Sequence, residues 1–374
     1  MKRNMLKTTT LAAVMALTLS GAAMASTTDA FDLDALIEAA RNEAPITVYA
    51  PSGKIVQTAE NFTEKYGVEA VGNKVSGSAQ VEMMIREYRA SNIRGDVVIT
   101  GDASATMAQL MPMNVVETWV SPVIANDIPE IAKDPLVVYG DPAVWTYNSE
   151  VYDTCPVSNI WQLTDDNWKR KVALPDPLNN ARFLDWFNQI EAHHDDAMAA
   201  AYEAHYGKPL VSEERSATHA WVKALAQNSP LPTDSGSAAG DAVGAPGQTD
   251  PFMGLMSTAK YRDVASGKVH LGICEGMVPF AGWSTPSYGV ISTKTKSPNA
   301  AKLFLHFLMT EEGISNQTID GKVSGNLAIA PHPKEASGVQ KIYKQVLQYD
   351  ASTGLDDFDN RQDWADLWRI HFTR

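Results

Sequence analysis

ITVYAPSGK, residues 46–54, is the stretch that decides the fold class. Ile, Val and Ala alternate with Thr and Tyr over residues 46–50, which is the period of a β-strand. The strand ends in the turn residues Pro51-Ser52-Gly53, and helical spacing of apolar residues follows from Ile55 to Tyr66. This stretch therefore predicts a strand, a small-residue turn and a helix in succession.

The same order recurs twice further along the chain. Val68–Val75 reads as a strand that ends in Ser76-Gly77-Ser78 before a helix. Asp96–Thr100 reads as a strand that ends in Gly101-Asp102 before another helix. Three strand–turn–helix units in a row predict an α/β fold, in which a parallel sheet carries helices on its faces.

The middle of the chain has a different pattern. Residues 136–139 and 144–147 read as two short strands joined by a turn at Gly140-Asp141-Pro142. A long helix or a helix pair is predicted over residues 180–205. Residues 230–251 are rich in Gly, Pro, Ser, Thr and Asp, so we expect a long loop there.

The N-terminus has the three parts of a secretory signal peptide. Positive charges between Lys2 and Lys7 precede an apolar run at Leu11–Leu19, and Ala23-Met24-Ala25 supplies a cleavage signal. We expect residues 1–25 to be removed, so that the mature chain begins at Ser26 in the periplasm. No cysteine near the cleavage point signals a lipid anchor, and no later apolar stretch is long enough to span a membrane.

Composition narrows the classes of partner. The chain has 374 residues and a formal net charge of −13, which disfavours nucleic acid and anionic membranes because both attract clustered Lys and Arg. Its two cysteines, Cys155 and Cys274, are too few for a cysteine-rich zinc site. An oxidising compartment would allow them to pair, but the sequence leaves a bridge and two buried thiols equally open.

The loops that follow the first three strands are the first candidate site. In a parallel α/β sheet, ligands bind at the carboxyl ends of strands, where helix N-termini attract anions. The alternative is that each hydroxyl only caps its helix. The candidate residues are Ser52, Gly53, Ser76, Gly77, Ser78 and Thr100.

A second group of candidates lies later in the chain. Asp234 could accept hydrogen bonds from sugar hydroxyls, or it could simply form an Asx-turn. Asp250 and Glu275 are secondary candidates for the same role as acceptors of hydrogen bonds from hydroxyls. Trp283 is either a flat wall for a ligand or a core aromatic residue. The further residues in this group are Asn179, Asn180, Thr233 and Ser235.

Catalytic and cofactor motifs are missing from the sequence. It contains no G-x-S-x-G, no H-E-x-x-H and neither glycine pattern of nucleotide-binding loops. We therefore expect no catalytic residue, no resident metal and no cofactor.

Six segments together resemble the periplasmic solute-binding proteins of ABC importers, in the branch that holds ferric-ion, thiamine and hexose-phosphate binders. The stretch AVGAPGQTDP, residues 242–251, resembles the hexose-phosphate binders in particular. The segments are ITVYAPSG (46–53), RGDVVITGDA (94–103), VWTYNSEVY (144–152), DAVGAPGQTDPFMGLMSTAKYRD (241–263), VASGKVHLGICEGM (264–277) and SPNAAKLFLHFLMTEEG (297–313).

The resemblance implies a type II periplasmic-binding-protein fold, with two α/β lobes, hinge strands that cross between them and a ligand clamped between the lobes. It implies a membrane permease as partner, and we expect a monomer. In the hexose-phosphate reading, the serine loops would hold phosphate, and Asp234 with Asp250 would hold the sugar. On this basis, we place the first lobe at residues 26–141 and 281–335, the second at 142–280, and C-terminal helices that pack on the lobes at 336–374.

One departure from the family bears on the ligand. Ferric binders of this family carry a tyrosine pair just after the strand that corresponds to residues 269–273, where this chain has Cys274-Glu275-Gly276-Met277. Ferric iron needs hard oxygen ligands, so we expect a small anionic solute, with hexose phosphate favoured. Phosphonates, thiamine-like cations, polyamines and ferric iron stay open as ligands, and a secreted hydrolase or a surface interaction protein stays open as another class.

Overall fold

The computed structural model describes residues 31–373, so the predicted signal peptide and its cleavage point lie outside the described residues. The described strands are β1 Ile46–Ala50, β2 Ala70–Lys74, β3 Val97–Thr100, β4 Val116–Glu117, β5 Leu136–Tyr147, β6 Val172–Pro175, β7 Leu231–Thr233, β8 Met253–Ser257, β9 Gly272–Ile273, β10 Gly282–Ser292, β11 Val323–Ser324 and β12 Val346–Gln348. The helices are α1 Leu33–Arg41, α2 Ile55–Tyr66, α3 Gly77–Arg89, α4 Ala103–Ala105, α5 Arg182–Tyr206, α6 Ala217–Gln227, α7 Gly236–Gly244, α8 Pro298–Leu308, α9 Glu311–Thr318 and α10 Gly354–His371.

The first three strands confirm the predicted strand–turn–helix units. β1 pairs in parallel with β2 on one side and with β3 on the other. Helix α2 ends at Gly67, whose φ of 69° lies in the left-handed region that a glycine adopts without steric cost.

Strand β5 corrects the prediction of two short strands joined by a turn. It runs unbroken from Leu136 to Tyr147, through the residues Gly140-Asp141-Pro142 that were expected to turn. Strand β10 pairs with it from Val144 back to Leu136, and β11 pairs with Gly140 from the other side. Pairing of all three residues with β10, and of Gly140 with β11 as well, holds them extended, so tertiary context overrides local preference here.

The predicted long loop at residues 230–251 is also wrong, because it contains β7 and α7. Ser235 begins α7, and its side chain accepts a hydrogen bond from the Ala238 N–H at 3.2 Å. A Cβ added at Gly240 would lie 2.6 Å from the Cε atom of Met256 on β8. The small residues that suggested flexibility instead let this helix pack closely on the sheet.

Helix α5 agrees with the prediction of a long helix or a helix pair. It runs from Arg182 to Tyr206 and is interrupted at His194, whose φ of −141° is not helical.

The described residues contain four buried hydrophobic clusters, and the two largest define two lobes. The first lobe contains β1–β3, α1, α2, α8 and α9, with Phe62 and Phe304 in its core. The second contains β6, β8, α5 and α6, with Trp186 and Trp221 in its core. Cys155 and Cys274 are bonded to each other in the second lobe, with their Cα atoms 5.1 Å apart. The exact lobe boundaries stay a prediction.

Strand polarity creates the feature that positions the site. The order β2-β1-β3-β10-β5-β8-β6-β7 places β1–β3 and β5 in one direction and β6–β8 in the other. β3 ends opposite Tyr288, which pairs with Val137, whereas β8 ends opposite Ala143. The carboxyl ends of the strands in one lobe therefore face those of the strands in the other lobe across residues 138–142 of β5. This span is about 20 Å long, and we call it the central gap.

The C-terminal helix α10 packs on both lobes. Trp364 and Trp368 lie in the second core, and Phe358 packs against a cluster that contains Val98 of β3. Over residues 31–373, none of the helices combines the length and the hydrophobicity that a membrane crossing requires.

Candidate functional site

The three first-lobe loops converge at the carboxyl ends of β1, β2 and β3. A Cβ added at Gly77 would lie 3.1 Å from the carbonyl carbon of Gly101, and a Cβ added at Gly101 would lie 3.2 Å from the Cβ of Pro51. Only glycine fits such close approaches without a shift of its neighbours. The candidates in these loops, Ser52, Gly53, Ser76, Gly77, Ser78 and Thr100, therefore lie in one region.

The hydroxyl groups of these loops differ in how they are bonded. Ser52 Oγ accepts a hydrogen bond from the Lys54 N–H at 3.3 Å. Ser76 precedes α3 but makes no side-chain capping bond within the described structure, and it is exposed. The Thr100 Oγ1 atom is buried without a hydrogen-bond partner in residues 31–373. Ser52 therefore makes a local turn bond without capping α2, and capping does not describe Ser76 or Thr100 either.

The second-lobe loops also lie side by side. The Asp176 N–H donates to the Thr233 carbonyl at 2.9 Å, which joins the Asn179-Asn180 loop to the Thr233-Asp234-Ser235 loop. A Cβ added at Gly236 would lie 2.7 Å from the Ser257 nitrogen at the end of β8. The five candidates in these two loops therefore face the central gap from the second lobe. Asp234 is exposed. Ser235 caps the start of α7, and capping is the alternative role that we weighed for hydroxyl residues before helices.

Asp250 does not join this group. It is exposed and forms an ion pair with Lys171 at 2.7 Å, just before β6 begins. Since β6 and β8 are parallel, Asp250 lies at their amino ends, and the loops that carry Asp234 lie at the opposite edge. The expectation that Asp234 and Asp250 hold one ligand together is therefore wrong.

Trp283 lies in the core of the second lobe. Its side chain is 1% exposed and stacks on Trp186, with ring centroids 6.0 Å apart. The structure therefore corrects its assignment as a ligand wall in favour of the alternative, a core aromatic residue. Glu275 is exposed after β9, which pairs with the last two residues of β5. Its role stays a prediction.

Three charged residues that the sequence did not single out meet at the central gap. Arg182 donates from Nη1 to the Asp141 carboxylate at 3.2 Å, and the Lys322 ammonium bonds its other oxygen. The side chains are 15% exposed for Asp141, 17% for Arg182 and 7% for Lys322. Burial alone would raise the pKa of Asp141, but Lys322 and Arg182 outweigh burial and lower it. We call these three residues the Asp141 cluster.

A second buried cluster connects the two lobes through α10. Arg361 donates to Asp102 beside the first-lobe loops at 2.6 Å and to Asp185 on α5 at 2.7 Å. Ser104 donates to the same Asp185 carboxylate at 2.8 Å. Burial, with a smaller contribution from Asp102, raises the pKa of Asp185 to about 6 although Arg361 opposes the rise. We call these four residues the Arg361 cluster.

One of these residues had a signal in the sequence. Arg182 follows Asn180 and begins α5, and a cation in the first turn of a helix opposes the helix dipole. Such an unfavourable local choice indicates a specific partner. Asp141 had no such signal, because it lay in a segment that was read as a turn.

A family model described as bacterial extracellular solute-binding protein matches residues 46–316. The chain belongs to this family. Members of this solute-binding family are transport proteins of ABC systems rather than enzymes. The chain has the two-lobed α/β fold of these proteins. No curated protein sequence matches the chain significantly.

Solved structures show the same fold for this solute-binding protein at low sequence identity. Iron-bound HitA from Pseudomonas aeruginosa matches with a TM-score of 0.66 and 14% identity, over 87% of this chain and 99% of that one. AfuA from Actinobacillus pleuropneumoniae, with fructose-6-phosphate bound, matches with a TM-score of 0.63 and 17% identity, over 87% and 99%. The substrate-binding protein of an ABC transporter from Agrobacterium tumefaciens matches with a TM-score of 0.66 and 14% identity, over 87% and 96%.

Proposed function

We propose that this protein is the periplasmic substrate-binding component of an ABC importer and captures a small anionic solute, with hexose phosphate favoured, between its lobes. The observation that carries the proposal is the central gap, where loops from both lobes face each other. This is the place where α/β proteins bind ligands, because strands end and helices begin there. The bound fructose-6-phosphate of AfuA gives the ligand class a precedent on the same fold.

The two sides of the gap suit the two ends of a sugar phosphate. On the first-lobe side, the start of α3 and the hydroxyls of Ser52, Ser76, Ser78 and Thr100 offer donors to an anion. On the second-lobe side, Asn179, Asn180, Thr233 and Asp234 offer amide, hydroxyl and carboxylate groups to sugar hydroxyls. We therefore propose that the phosphate binds the first lobe and the sugar binds the second.

Ferric iron has less support as the ligand, although the structure of HitA is iron-bound. Arg182 and Lys322 outnumber Asp141 beside the gap, and the net positive charge of these three residues repels a trivalent cation. Cys274 is bonded to Cys155, so it offers no thiolate. Over residues 31–373, no three His, Cys, Asp or Glu side chains are grouped so that they could hold a metal ion.

The remaining elements of the proposal follow from the family and the N-terminal signal. We propose a membrane permease as the partner, cleavage before Ser26, export to the periplasm and a monomeric state. Mass spectrometry of the exported protein tests the cleavage, because a retained or lipidated N-terminus would contradict it.

A thermal-shift measurement on refolded, ligand-free protein tests the ligand class. Glucose 6-phosphate at 100 times its Kd adds ~2.7 kcal/mol to the free energy of unfolding. That increment raises the melting temperature of a protein of this size by about 3–4 °C. Glucose at the same concentration is the control and should have a much smaller effect. Equal shifts with both sugars, or a visible charge-transfer band with one iron per chain after ferric citrate is added, would refute the proposal.

A further inference from the structure

We propose that Arg182 and Lys322, from the middle of the central gap, complete the anchor that the first-lobe loops provide for the anionic group of the ligand. Asp141 holds these two cations in place and limits how much negative charge the site accepts. The inference rests on the proposed function only for the identity of the ligand, because the anchor would act on any small oxyanion.

The first support is the position of the three residues. Asp141 lies in the middle of β5, within the central gap. Lys322 directly precedes β11, whose Val323 pairs with Gly140. Arg182 begins α5, immediately after the second-lobe loop that carries Asn179 and Asn180. Three separate parts of the chain thus bring their charges to the place where both sets of candidate loops face each other.

The second support is an excess of buried positive charge. Two cations share one carboxylate, and all three side chains are at most 17% exposed. A buried charge without a counter-charge is costly, so such a site favours a further anion. The described groups of the cluster therefore leave one positive charge unbalanced, and an anionic ligand would balance it.

The third support is unused hydrogen-bonding capacity. The Nε atom of Arg182 is buried and has no hydrogen-bond partner within residues 31–373. An arginine and a lysine together offer many more N–H donors than one carboxylate can accept. A phosphate oxygen is an acceptor that an arginine fork suits well.

The total charge of the site favours one kind of anion. A phosphate monoester carries about 1.5–2 negative charges, and the uncapped start of α3 contributes about half a positive charge. Together with the single positive charge of the cluster, this helix end balances such an anion. Without Asp141 the site would carry one more positive charge, so this residue is inferred to keep the site matched to a phosphate monoester.

Titration calorimetry with glucose 6-phosphate and with inorganic phosphate tests the anchor on four variants. Arg182→Gln and Lys322→Gln should each weaken both ligands by about ten- to a hundredfold, because each removes a charged donor. Asp141→Asn should instead strengthen both ligands, and phosphate should raise its melting temperature more than that of the wild-type protein. Lys223→Gln is the matched control, because it removes a lysine of α6 that is paired with Glu214 and not with Asp141. It should leave both affinities within twofold.

The variants distinguish an anchor from a structural ion pair. A purely structural pair would make Asp141→Asn lose stability without any gain in affinity, which would overturn the inference. Arg182→Lys and Lys322→Arg keep the charges, so they should fold and still bind inorganic phosphate if the glutamine variants do not fold. Failure of these two to bind phosphate while they are folded would also overturn it.

The same data separate this inference from the proposed function. If the wild-type protein binds inorganic phosphate but not glucose 6-phosphate, and Arg182→Gln loses phosphate, the hexose-phosphate assignment fails and the anchor stands. If glucose 6-phosphate binds the wild-type protein and both glutamine variants equally, the anchor fails and the proposed function stands. Binding of neither ligand to the wild-type protein would overturn both.

Discussion

Helix α3 of the first lobe begins after Ser76 without a side-chain cap, whereas in the second lobe Ser235 caps the start of α7. Helix α2 of the first lobe and helix α5 of the second also have no side-chain cap, so the contrast lies between α3 and α7 rather than between the lobes as wholes. Uncapped helix starts leave backbone N–H groups available to an anion, and capped ones do not. The contrast indicates that the start of α3 contributes backbone donors and that the loop before α7 contributes charged and polar side chains.

The lobes also differ in how they are stabilised, since the disulfide lies in the second. The pair Cys155→Ser and Cys274→Ser should lower the free energy of unfolding by about 4–5 kcal/mol, because the bridge closes a loop of 119 residues. Urea unfolding of this variant and of the wild-type protein measures the change. Hydrogen exchange should rise in α5 and α6 far more than in α1 and α2. A loss below about 1 kcal/mol, or equal exchange in both lobes, would contradict this prediction.

The Arg361 cluster, which joins the lobes, should make stability depend on pH. The pKa of Asp185 is raised to about 6 in the folded state, so the folded state binds this proton more tightly than the unfolded state does. The resulting contribution to stability is fully present below about pH 4 and is lost as the pH rises through about 6. Asp185→Asn lacks this titration, so its stability relative to the wild-type protein should rise by about 3 kcal/mol between pH 4 and pH 7.5.

Thermal or urea unfolding of both proteins across that range measures the effect. Asp366→Asn is a suitable control, because Asp366 is a surface residue of α10 that pairs with Arg369. Comparison with this variant separates the loss of a surface carboxylate from the loss of the buried one. A flat difference between Asp185→Asn and the wild-type protein would show that the buried carboxylate titrates as it does in the unfolded chain.

The first lobe was more predictable from the sequence than the second. Alternation over residues 46–50 and the small-residue turns are local signals, and β1–β3 formed where those signals predicted. Strand β5 and helix α7 were missed because their structure depends on pairing with β10 and packing on β8, which are distant in the sequence. The Asp141 cluster was missed for the same reason, since its members are contributed by three segments.

Asp234 tests whether the second lobe holds the sugar. Asp234→Ala should weaken glucose 6-phosphate by about ten- to a hundredfold, because a charged acceptor of hydroxyl hydrogen bonds is lost. Inorganic phosphate should bind as before, and the fold should be intact because the residue is exposed. Asp250→Ala is the matched control, since this exposed aspartate lies at the other end of β6. Equal affinities for Asp234→Ala and Asp250→Ala would make Asp234 only a turn residue.

The smallest effect, and the sharpest test of the capping contrast, comes from two serines that precede helices. Ser76→Ala should weaken inorganic phosphate and glucose 6-phosphate by about two- to tenfold, because one hydroxyl donor is lost. It should leave the free energy of unfolding unchanged, since Ser76 makes no capping bond within the described residues. Ser235→Ala should do the reverse: it removes a cap worth about 1 kcal/mol and leaves phosphate affinity unchanged. Calorimetry and urea unfolding on both variants measure the two quantities. The contrary result is that both substitutions lower the free energy of unfolding equally and neither changes the affinity for phosphate. In that case, the start of α3 is an ordinary capped helix start, and the phosphate binds elsewhere in the gap.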